Sequence, residues 1–278
     1  MLNRPDHHQE PENISPPERK GYEILPDNLR HTIDADGSII PSAKKHGENQ
    51  PTIMLTNRGF EMIDTMVSYK FLGMIIKKIK ENPGRKVVVL DIGGGVKSRA
   101  LRDMLSHPFL KGKIECINVD LFAAPIQENG LTVINENMAN CPLPDESVDA
   151  IMSIQALNYM DDDEFFKTLE QIGRILKKGG EAYLDTDGTF ARDERDAALY
   201  SFPQMYNIPT WIRSLWGRKA HYSMTLRVTN LHGETHVFGY SSPMLHIGKT
   251  YENGEPCYPN DFRLAFPEII EAKKAYKS

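Results

Sequence analysis

The sequence predicts an α/β fold in which a doubly wound, mostly parallel sheet carries helices on both faces. Strand-like apolar runs alternate with helical patterns between about residue 56 and residue 187. The first of these runs ends on an acid and enters a glycine-rich turn, as ligand-binding strand–turn–helix units do. Further on, two segments that alternate apolar and polar residues flank a short turn and predict an antiparallel hairpin. We therefore expect seven strands, of which the last two form the hairpin.

The composition bounds the class of protein. The 278 residues, 40% of them hydrophobic and 26% charged, suit one large α/β domain with insertions or a tail. A net charge of −5 gives no support for a nucleic-acid binder that relies on overall basicity. The three cysteines, Cys116, Cys141 and Cys257, match no metal-site spacing, and their odd number argues against a disulfide framework. We expect a cytoplasmic protein with a small-molecule substrate, and no membrane span, metal site or nucleic-acid partner.

The distribution of residues predicts three regions. Residues 1–50 combine six prolines with polar side chains, which predicts a poorly ordered, flexible N-terminal arm; residues 21–29 within it are able to dock on the body. Residues 51–245 are predicted to form the α/β domain. Residues 246–278 are predicted to form a tail that contains a short helix over 266–276.

The elements of the domain follow from periodicity and from stop signals. A helical pattern over 56–80 ends at an Asn-Pro-Gly sequence, and later helices are predicted at 98–105 and 163–176. The glycine pair at 179–180 is interpreted as the stop of the last helix. Five parallel strands are predicted at residues 87–90, 114–119, 131–134, 148–154 and 181–184, and the hairpin at 224–228 and 235–240.

The most informative segment is the first strand with its turn. It ends on Asp91 and runs into Gly93-Gly94-Gly95, where the backbone turns sharply and can approach a ligand that any Cβ would meet. The acid adds one negative charge, which suits a ligand with a cationic or hydroxyl-rich end. Phosphate-loop and nicotinamide fingerprints match imperfectly, because no glycine precedes Lys97 directly and Ser98 stands at the last glycine position.

Asp120 ends the second predicted strand. In doubly wound sheets ligands bind beyond the carboxyl ends of the strands, near the point where the strand order reverses. A carboxylate there can accept hydrogen bonds from both hydroxyls of a ribose. A helix N-cap is the alternative, and the upstream glycine turn favours the ribose interpretation.

Four segments in this order resemble the class I S-adenosylmethionine-dependent methyltransferases, particularly their small-molecule and biosynthetic branch. Residues 87–95 resemble the family's Asp-x-Gly-x-Gly motif, and residues 118–120 its ribose-binding acid. The run at 142–151 is similar to Pro-Phe-Pro-Asp-x-Ser-Phe-Asp-x-Val, and residues 174–180 resemble Arg-Val-Leu-Lys-Pro-Gly-Gly. The resemblance covers roughly residues 60–187.

The resemblance implies a Rossmann-like fold, S-adenosylmethionine as cofactor, and methyl transfer to a small or medium organic acceptor by in-line displacement. It implies that the backbone at Gly93 and Gly95 lies close to the methionine part of the cofactor, with Asp91 near the ammonium group, and that Asp120 binds the ribose hydroxyls. Adenine would contact Asn137 and Met138, and Gln155 would line the methyl-donor pocket. The implied cofactor-binding residues are Asp91, Gly93, Gly95, Asp120, Leu121, Asn137, Met138 and Gln155.

The sequence also departs from the family. Lys97 stands where a third glycine is frequent and Asn137 where an Asp is common, and the short segment 121–130 holds Pro125, so a turn replaces the usual helix. A catalytically silent protein of the same fold, with a regulatory or partner-binding role, is the alternative function. Nicotinamide-dependent oxidoreduction is a third.

No catalytic residue is assigned from the sequence. Acceptor-side candidates are Tyr159, Asp185, Asp187 and His221, and for each a packing or turn role is the alternative. An aromatic segment within 188–221 is predicted to form a lid-like insertion over an organic acceptor; an ordinary core-covering helix over 210–216 is the alternative. The acceptor, the use of a general base and the oligomeric state stay open.

Overall fold

The structure, a computed structural model, describes residues 22–25, 42–46, 53–54, 59–60, 63, 70–185, 210–214, 222–229, 235–242 and 244–249. The strands are β1 (Tyr22–Ile24), β2 (Ser42–Lys45), β3 (Ile53–Met54), β4 (Val87–Ile92), β5 (Ile114–Val119), β6 (Ile126–Glu128), β7 (Leu131–Ile134), β8 (Val148–Ser153), β9 (Leu176–Asp185), β10 (Thr210–Ser214), β11 (Tyr222–Thr229), β12 (Thr235–Ser242) and β13 (Met244–Lys249). The helices are α1 (Lys70–Glu81), α2 (Arg99–Ser106) and α3 (Asp162–Ile175).

The main sheet has eight strands in the order β10-β13-β9-β8-β4-β5-β7-β6. Its five central strands, β7, β5, β4, β8 and β9, are mutually parallel, which confirms the predicted doubly wound α/β fold. The order reverses between β4 and β8, because the chain builds outward from β4 in one direction and then continues from β8 in the other. A ligand pocket is expected at that point.

The sheet differs from the expectation at both edges. The predicted hairpin forms as β11 and β12, but these strands pair only with each other in a separate two-stranded sheet. The antiparallel edge is instead made by β13 and β10, so residues 210–214 form a strand and not the helix considered as an alternative to a lid. Residues 188–209 and the predicted helix at 266–276 lie outside the described residues.

The opposite edge carries β6, a strand that the sequence analysis missed. It pairs with β7 across Asn129 and Gly130, whose φ angles are 40° and 85°. Two consecutive left-handed residues are the requirement of the commonest two-residue hairpin turn, and Asn-Gly is its preferred sequence. The turn expected in place of a helix between residues 121 and 130 is therefore followed by an edge strand.

Helix α3 begins with a capping box. The Asp161 carboxylate accepts the backbone N–H of Glu164 at 2.9 Å, and the Glu164 carboxylate accepts the backbone N–H of Asp161 at 3.3 Å. The helix ends at Ile175, close to the prediction, but the glycine pair is not its stop. Gly179, with φ of 73°, lies inside β9, where the pairing with β8 shifts register.

Two apolar clusters fill the two faces of the sheet. Alternate residues of one strand point to opposite faces, so Val89 joins the cluster of α1 and α2 while Leu90 joins the cluster of α3. The first cluster includes Phe71, Met74, Leu101 and Met104, and the second includes Phe165, Leu169 and Ile172. The sheet is therefore covered on both sides, as the uninterrupted apolar runs of its strands require.

Asp149 fixes the amino-terminal end of the sheet. Its carboxylate accepts two hydrogen bonds from the Arg85 guanidinium (2.7 and 2.6 Å), one from the Val88 N–H (2.9 Å) and one from the Lys177 ammonium (3.0 Å). Burial alone would raise the pKa of this carboxyl, but the hydrogen bonds and the Lys177 charge outweigh it and hold the pKa below its ordinary value. This acid of the 142–151 run is structural, since it joins β4 and β8 at the end away from their carboxyl termini.

No helix among the described residues is long and apolar enough to cross a membrane.

Candidate functional site

A pocket opens at the carboxyl ends of β4, β5, β7 and β8, where the strand order reverses. The space between its walls, including the part open to solvent, amounts to about 730 Å³. Its lining residues are Tyr22, Ile92, Gly93, Gly95, Val119, Asp120, Leu121, Phe122, Glu136, Asn137, Met138, Ile154, Gln155, Ala156, Tyr159, Met160 and Glu164. Seven of the eight predicted cofactor-binding residues line this one pocket.

The glycine turn is shaped by the protein around it. Gly93 and Gly95 have φ angles of 69° and 78°, which L side chains rarely adopt. A Cβ on Gly93 would lie 2.4 Å from the Cβ of Ala156, and one on Gly94 would lie 2.6 Å from Asp91 Oδ2. At Gly93 and Gly94, close packing inside the protein therefore excludes a side chain, in addition to any ligand.

Lys97 causes no backbone strain. The residue with left-handed geometry in this stretch is Ser98, with φ of 48° and ψ of 40° at the start of α2. The third family glycine is thus dispensable in this backbone, because position 97 does not adopt a positive φ. The departure at Lys97 leaves the turn intact.

Asn118 holds the turn in place, and the sequence analysis gave it no role of its own. Its side chain is fully buried; Oδ1 accepts the Gly94 N–H at 3.0 Å, and Nδ2 donates to the Gly95 carbonyl at 3.1 Å and to Ser98 Oγ at 2.7 Å. A polar residue within the apolar strand β5 was the available signal. Buried polar groups are expected to be hydrogen-bonded, and here the partners are the turn itself.

Asp120 accepts hydrogen bonds from the backbone of the turn that follows it, although no helix begins there as the N-cap alternative requires, and it also lines the pocket. Its Oδ2 accepts the Gly95 N–H at 3.0 Å, and its Oδ1 accepts the N–H groups of Phe122 at 2.7 Å and Ala123 at 3.0 Å. A carboxylate offers about four lone-pair sites. Three backbone N–H groups already donate to this carboxylate, so a ligand hydroxyl would share it with the backbone.

Asp91 is the predicted site residue that does not reach the pocket wall. It is 2% exposed and lies beneath the turn, in contact range of a Cβ at Gly94. Its charge therefore faces the underside of the glycine turn. The contact with a ligand ammonium stays a prediction.

Asn137 connects three neighbouring segments at the β7 end of the pocket. Its Oδ1 accepts the Ala139 N–H at 2.9 Å and caps the short 3₁₀ turn Met138–Asn140, while its Nδ2 donates to Glu164 Oε1 at 2.9 Å. Its backbone N–H donates to Glu136 Oε1 at 2.7 Å. Glu136 and Glu164 both line the pocket and were missed, because Glu136 belongs to no motif and the capping box of Glu164 indicates a helix start, not a ligand.

Gln155 has a strained backbone at the pocket wall. It follows β8 with φ of 57°, which is uncommon for a residue with a Cβ and is concentrated at functional sites. The next residue, Ala156, contacts Gly93, so the chain after β8 packs directly against the glycine turn. The 3₁₀ turn Leu157–Tyr159 then brings Tyr159 to the pocket.

An N-terminal strand reaches the same pocket. The Tyr22 ring packs edge-to-face on Phe122, with centroids 5.4 Å apart and planes at 88°. Ala43 of β2 is buried in the same cluster, and the Leu25 N–H donates to the Ser42 carbonyl at 2.7 Å. Residues 22–25 thus dock on the body, and parts of the predicted flexible arm are ordered because apolar side chains bury there.

The acceptor-side candidates differ in what the structure describes. Tyr159 lines the pocket. Asp185 ends β9, while Asp187 and His221 lie outside the described residues.

Fold and site together define an α/β protein with a ligand pocket at the switch point of a doubly wound sheet. Residues 90–184, about a third of the chain, match a family described as "Methyltransferase domain". Over these residues the chain is therefore similar to a methyltransferase domain, in agreement with the resemblance that its motifs indicate. A comparison with curated proteins found no match.

Solved structures of similar proteins include the YcgJ protein from Bacillus subtilis, 18% identical, with 64% of this chain and 98% of that chain covered and a TM-score of 0.37. A 1,6-didemethyltoxoflavin-N1-methyltransferase from Burkholderia thailandensis is 15% identical, with 74% and 98% covered and a TM-score of 0.38. Magnesium protoporphyrin IX methyltransferase from Synechocystis is 13% identical, with 70% and 86% covered and a TM-score of 0.39. At these identities and TM-scores the similarity bears on neither substrate nor site residues.

Proposed function

We propose that this chain binds S-adenosylmethionine in the pocket between β4 and β8 and methylates a small or medium organic acceptor. The observation that carries the proposal is that seven of the cofactor-binding residues implied by the family resemblance line one pocket: Gly93, Gly95, Asp120, Leu121, Asn137, Met138 and Gln155. These residues come from four separate segments of the chain. Such convergence favours a common ligand over independent structural roles.

The acceptor groups of the pocket suit this cofactor. Carboxylates of Asp120, Glu136 and Glu164 accept hydrogen bonds from hydroxyl and amino groups. Leu121 and Met138 offer apolar surface on which a flat base can lie. The three acids also favour a ligand that carries positive charge.

The chain's own contribution to the reaction is positioning and exclusion of water. When bound, S-adenosylmethionine supplies an activated methyl group on a positively charged sulfur. The glycine turn, braced by Asn118, fixes one wall of the pocket, and Gln155 and Tyr159 form another. Tyr22 and Phe122 cover the pocket near Asp120 and limit the access of water.

The aromatic and apolar residues of the pocket bear on the kind of methyl acceptor. Tyr22, Phe122, Tyr159 and Met160 give apolar and aromatic surface, which favours an organic acceptor over a macromolecular one. We propose that the insertion at 188–221 adds to this cover. Cys116 and Cys141 are buried free thiols, and they support a reducing, cytoplasmic location.

Calorimetry tests the proposal. S-adenosylmethionine and its demethylated product are expected to bind, and nicotinamide dinucleotides are expected not to bind. If neither the methyl donor nor its product gives heat, the cofactor proposal is wrong. Binding of a nicotinamide dinucleotide instead would favour oxidoreduction.

Turnover separates an enzyme from a silent protein of the same fold. A panel of neutral aromatic and heteroaromatic acceptors is incubated with methyl-labelled donor, and label transfer is measured together with release of the demethylated product. Binding without transfer to any acceptor would favour the regulatory alternative. An Asp120→Asn variant serves as the negative control, because the ribose contact is lost.

A further inference from the structure

Glu164 lies where the pocket meets the first turn of α3. Its Oε2 accepts the Asp161 N–H in the capping box, and its Oε1 accepts Nδ2 of Asn137. The carboxylate is therefore held from two sides. About two of its four lone-pair sites stay available on the half-buried group that lines the pocket.

The hydrogen bonds also fix the orientation of the Asn137 amide. Its oxygen faces the Ala139 N–H and its nitrogen faces the Glu164 carboxylate. The reverse orientation would place an oxygen against a carboxylate and an NH₂ against an N–H. Asn137 therefore presents a donor, not an acceptor, on the side of Glu164. A ligand amino group on that side would find its hydrogen-bond acceptor in the Glu164 carboxylate.

A carboxylate at position 137 would be unfavourable in this arrangement. It would lie at hydrogen-bond distance from the Glu164 carboxylate, where the two negative charges would repel each other and neither group would have a proton to donate. An amide at position 137 and an acid at position 164 form a matched pair. The acid that faces the Asn137 amide therefore lies on α3, while Glu136 is the pocket acid of the loop after β7.

We propose that Glu164 is a specificity-determining residue that accepts a hydrogen bond from the 6-amino group of the adenine of the bound cofactor. This inference rests on the proposed function, since it needs an adenine in the pocket. The charged acceptor selects an amino group at that position and rejects a carbonyl oxygen, which would face a carboxylate with no proton between them. Glu136, which is held by one contact to the neighbouring residue, is the competing acceptor.

The test compares two ligands on the intact chain by calorimetry. S-adenosylhomocysteine carries the 6-amino group, and S-inosylhomocysteine carries an oxygen in its place. The wild-type protein is expected to prefer the amino ligand by at least about tenfold, the effect of one hydrogen bond to a charged group. In Glu164→Gln that preference is expected to fall to about threefold or less, because the side-chain amide can turn its NH₂ toward the oxygen.

The neighbouring Asp163→Asn is the matched control. It removes the same charge from the same helix turn at an exposed position, and the tenfold preference is expected to persist. Glutamine keeps a side-chain acceptor for the capping box, so Glu164→Gln is expected to fold, which circular dichroism checks. Glu164→Asp, whose carboxylate is withdrawn by one methylene, is a second variant that should also lose the preference.

Three outcomes overturn the inference. They are an unchanged preference in both Glu164 variants, an equal loss in Asp163→Asn, and a loss confined to Glu136→Gln. Failure of the proposed function gives a different result, namely no binding of S-adenosylhomocysteine to the wild-type protein.

Discussion

Replacement of Asp120 separates the structural from the ligand-binding role of this residue. In Asp120→Ala the three N–H groups of Gly95, Phe122 and Ala123 lose their acceptor. Each hydrogen bond to a charged group contributes about 1.5 kcal/mol, so the loss of three is expected to lower the free energy of unfolding by about 4.5 kcal/mol. The substitution is therefore expected to destabilise the fold as well as to weaken ligand binding.

Asp120→Asn is the informative substitution. Its side-chain oxygen can still accept from Phe122 and Ala123, so the expected loss is about 1–2 kcal/mol, from the contact to Gly95. Affinity for S-adenosylhomocysteine is expected to fall at least about tenfold in both variants, since the charged carboxylate that would accept the ribose hydroxyl is removed.

Urea denaturation and calorimetry measure the two quantities on the same preparations. A stability loss in Asp120→Ala below about 1 kcal/mol would refute the structural role. Unchanged affinity in Asp120→Asn would refute the ribose contact. The exposed Asp163→Asn serves again as the control for loss of one negative charge.

Two further predictions concern the sheet and the turn. Asp149→Asn is expected to lower the free energy of unfolding at pH 7 by about 2–3 kcal/mol. The pKa of the Asp149 carboxyl is lowered on folding, so its charge stabilises the fold above the unfolded pKa of about 3.9, and this stabilisation is lost as the pH falls. In urea titrations the stability difference between Asp149→Asn and the wild type should therefore narrow below about pH 4. A difference that stays constant with pH would contradict this. Gly94→Ala is expected to lower stability and affinity because its Cβ would lie 2.6 Å from Asp91 Oδ2. Gly84→Ala is the control: its Cβ would meet nothing within 4 Å, so its thermal melt should be nearly that of the wild type. Equal effects of the two substitutions would show that the clash at Gly94 relaxes.

The parallel strands and the pocket location could be predicted because their signals are local. Apolar runs at 87–90 and 114–119 specify buried strands, and Asp91 and Asp120 mark their carboxyl ends. The edges could not be predicted as well. Strands β10 and β13 pair across the long intervening segment 215–243, whereas β6 was missed although Asn129-Gly130 signals its turn.

The missed site residues share a physical cause. The site roles of Asn118 and Glu164 depend on hydrogen-bond partners that are distant in sequence. Glu136 belongs to the site through its exposure to the pocket. No period or motif identifies such a pairing from one chain. Tyr22 is a similar case, because its ring belongs to the site only through its contact with Phe122.

By itself the sequence determined the class of fold and the place of the pocket, because strand patterns and glycine turns depend on residues that are consecutive in the chain. Its resemblance to a family also indicated seven of the residues that line the pocket. Only the tertiary structure decided how Asp120 is shared between backbone and ligand, and which carboxylate faces Asn137. Hydrogen-bond capacity is limited at each atom, and its distribution depends on neighbours that the folded chain brings together.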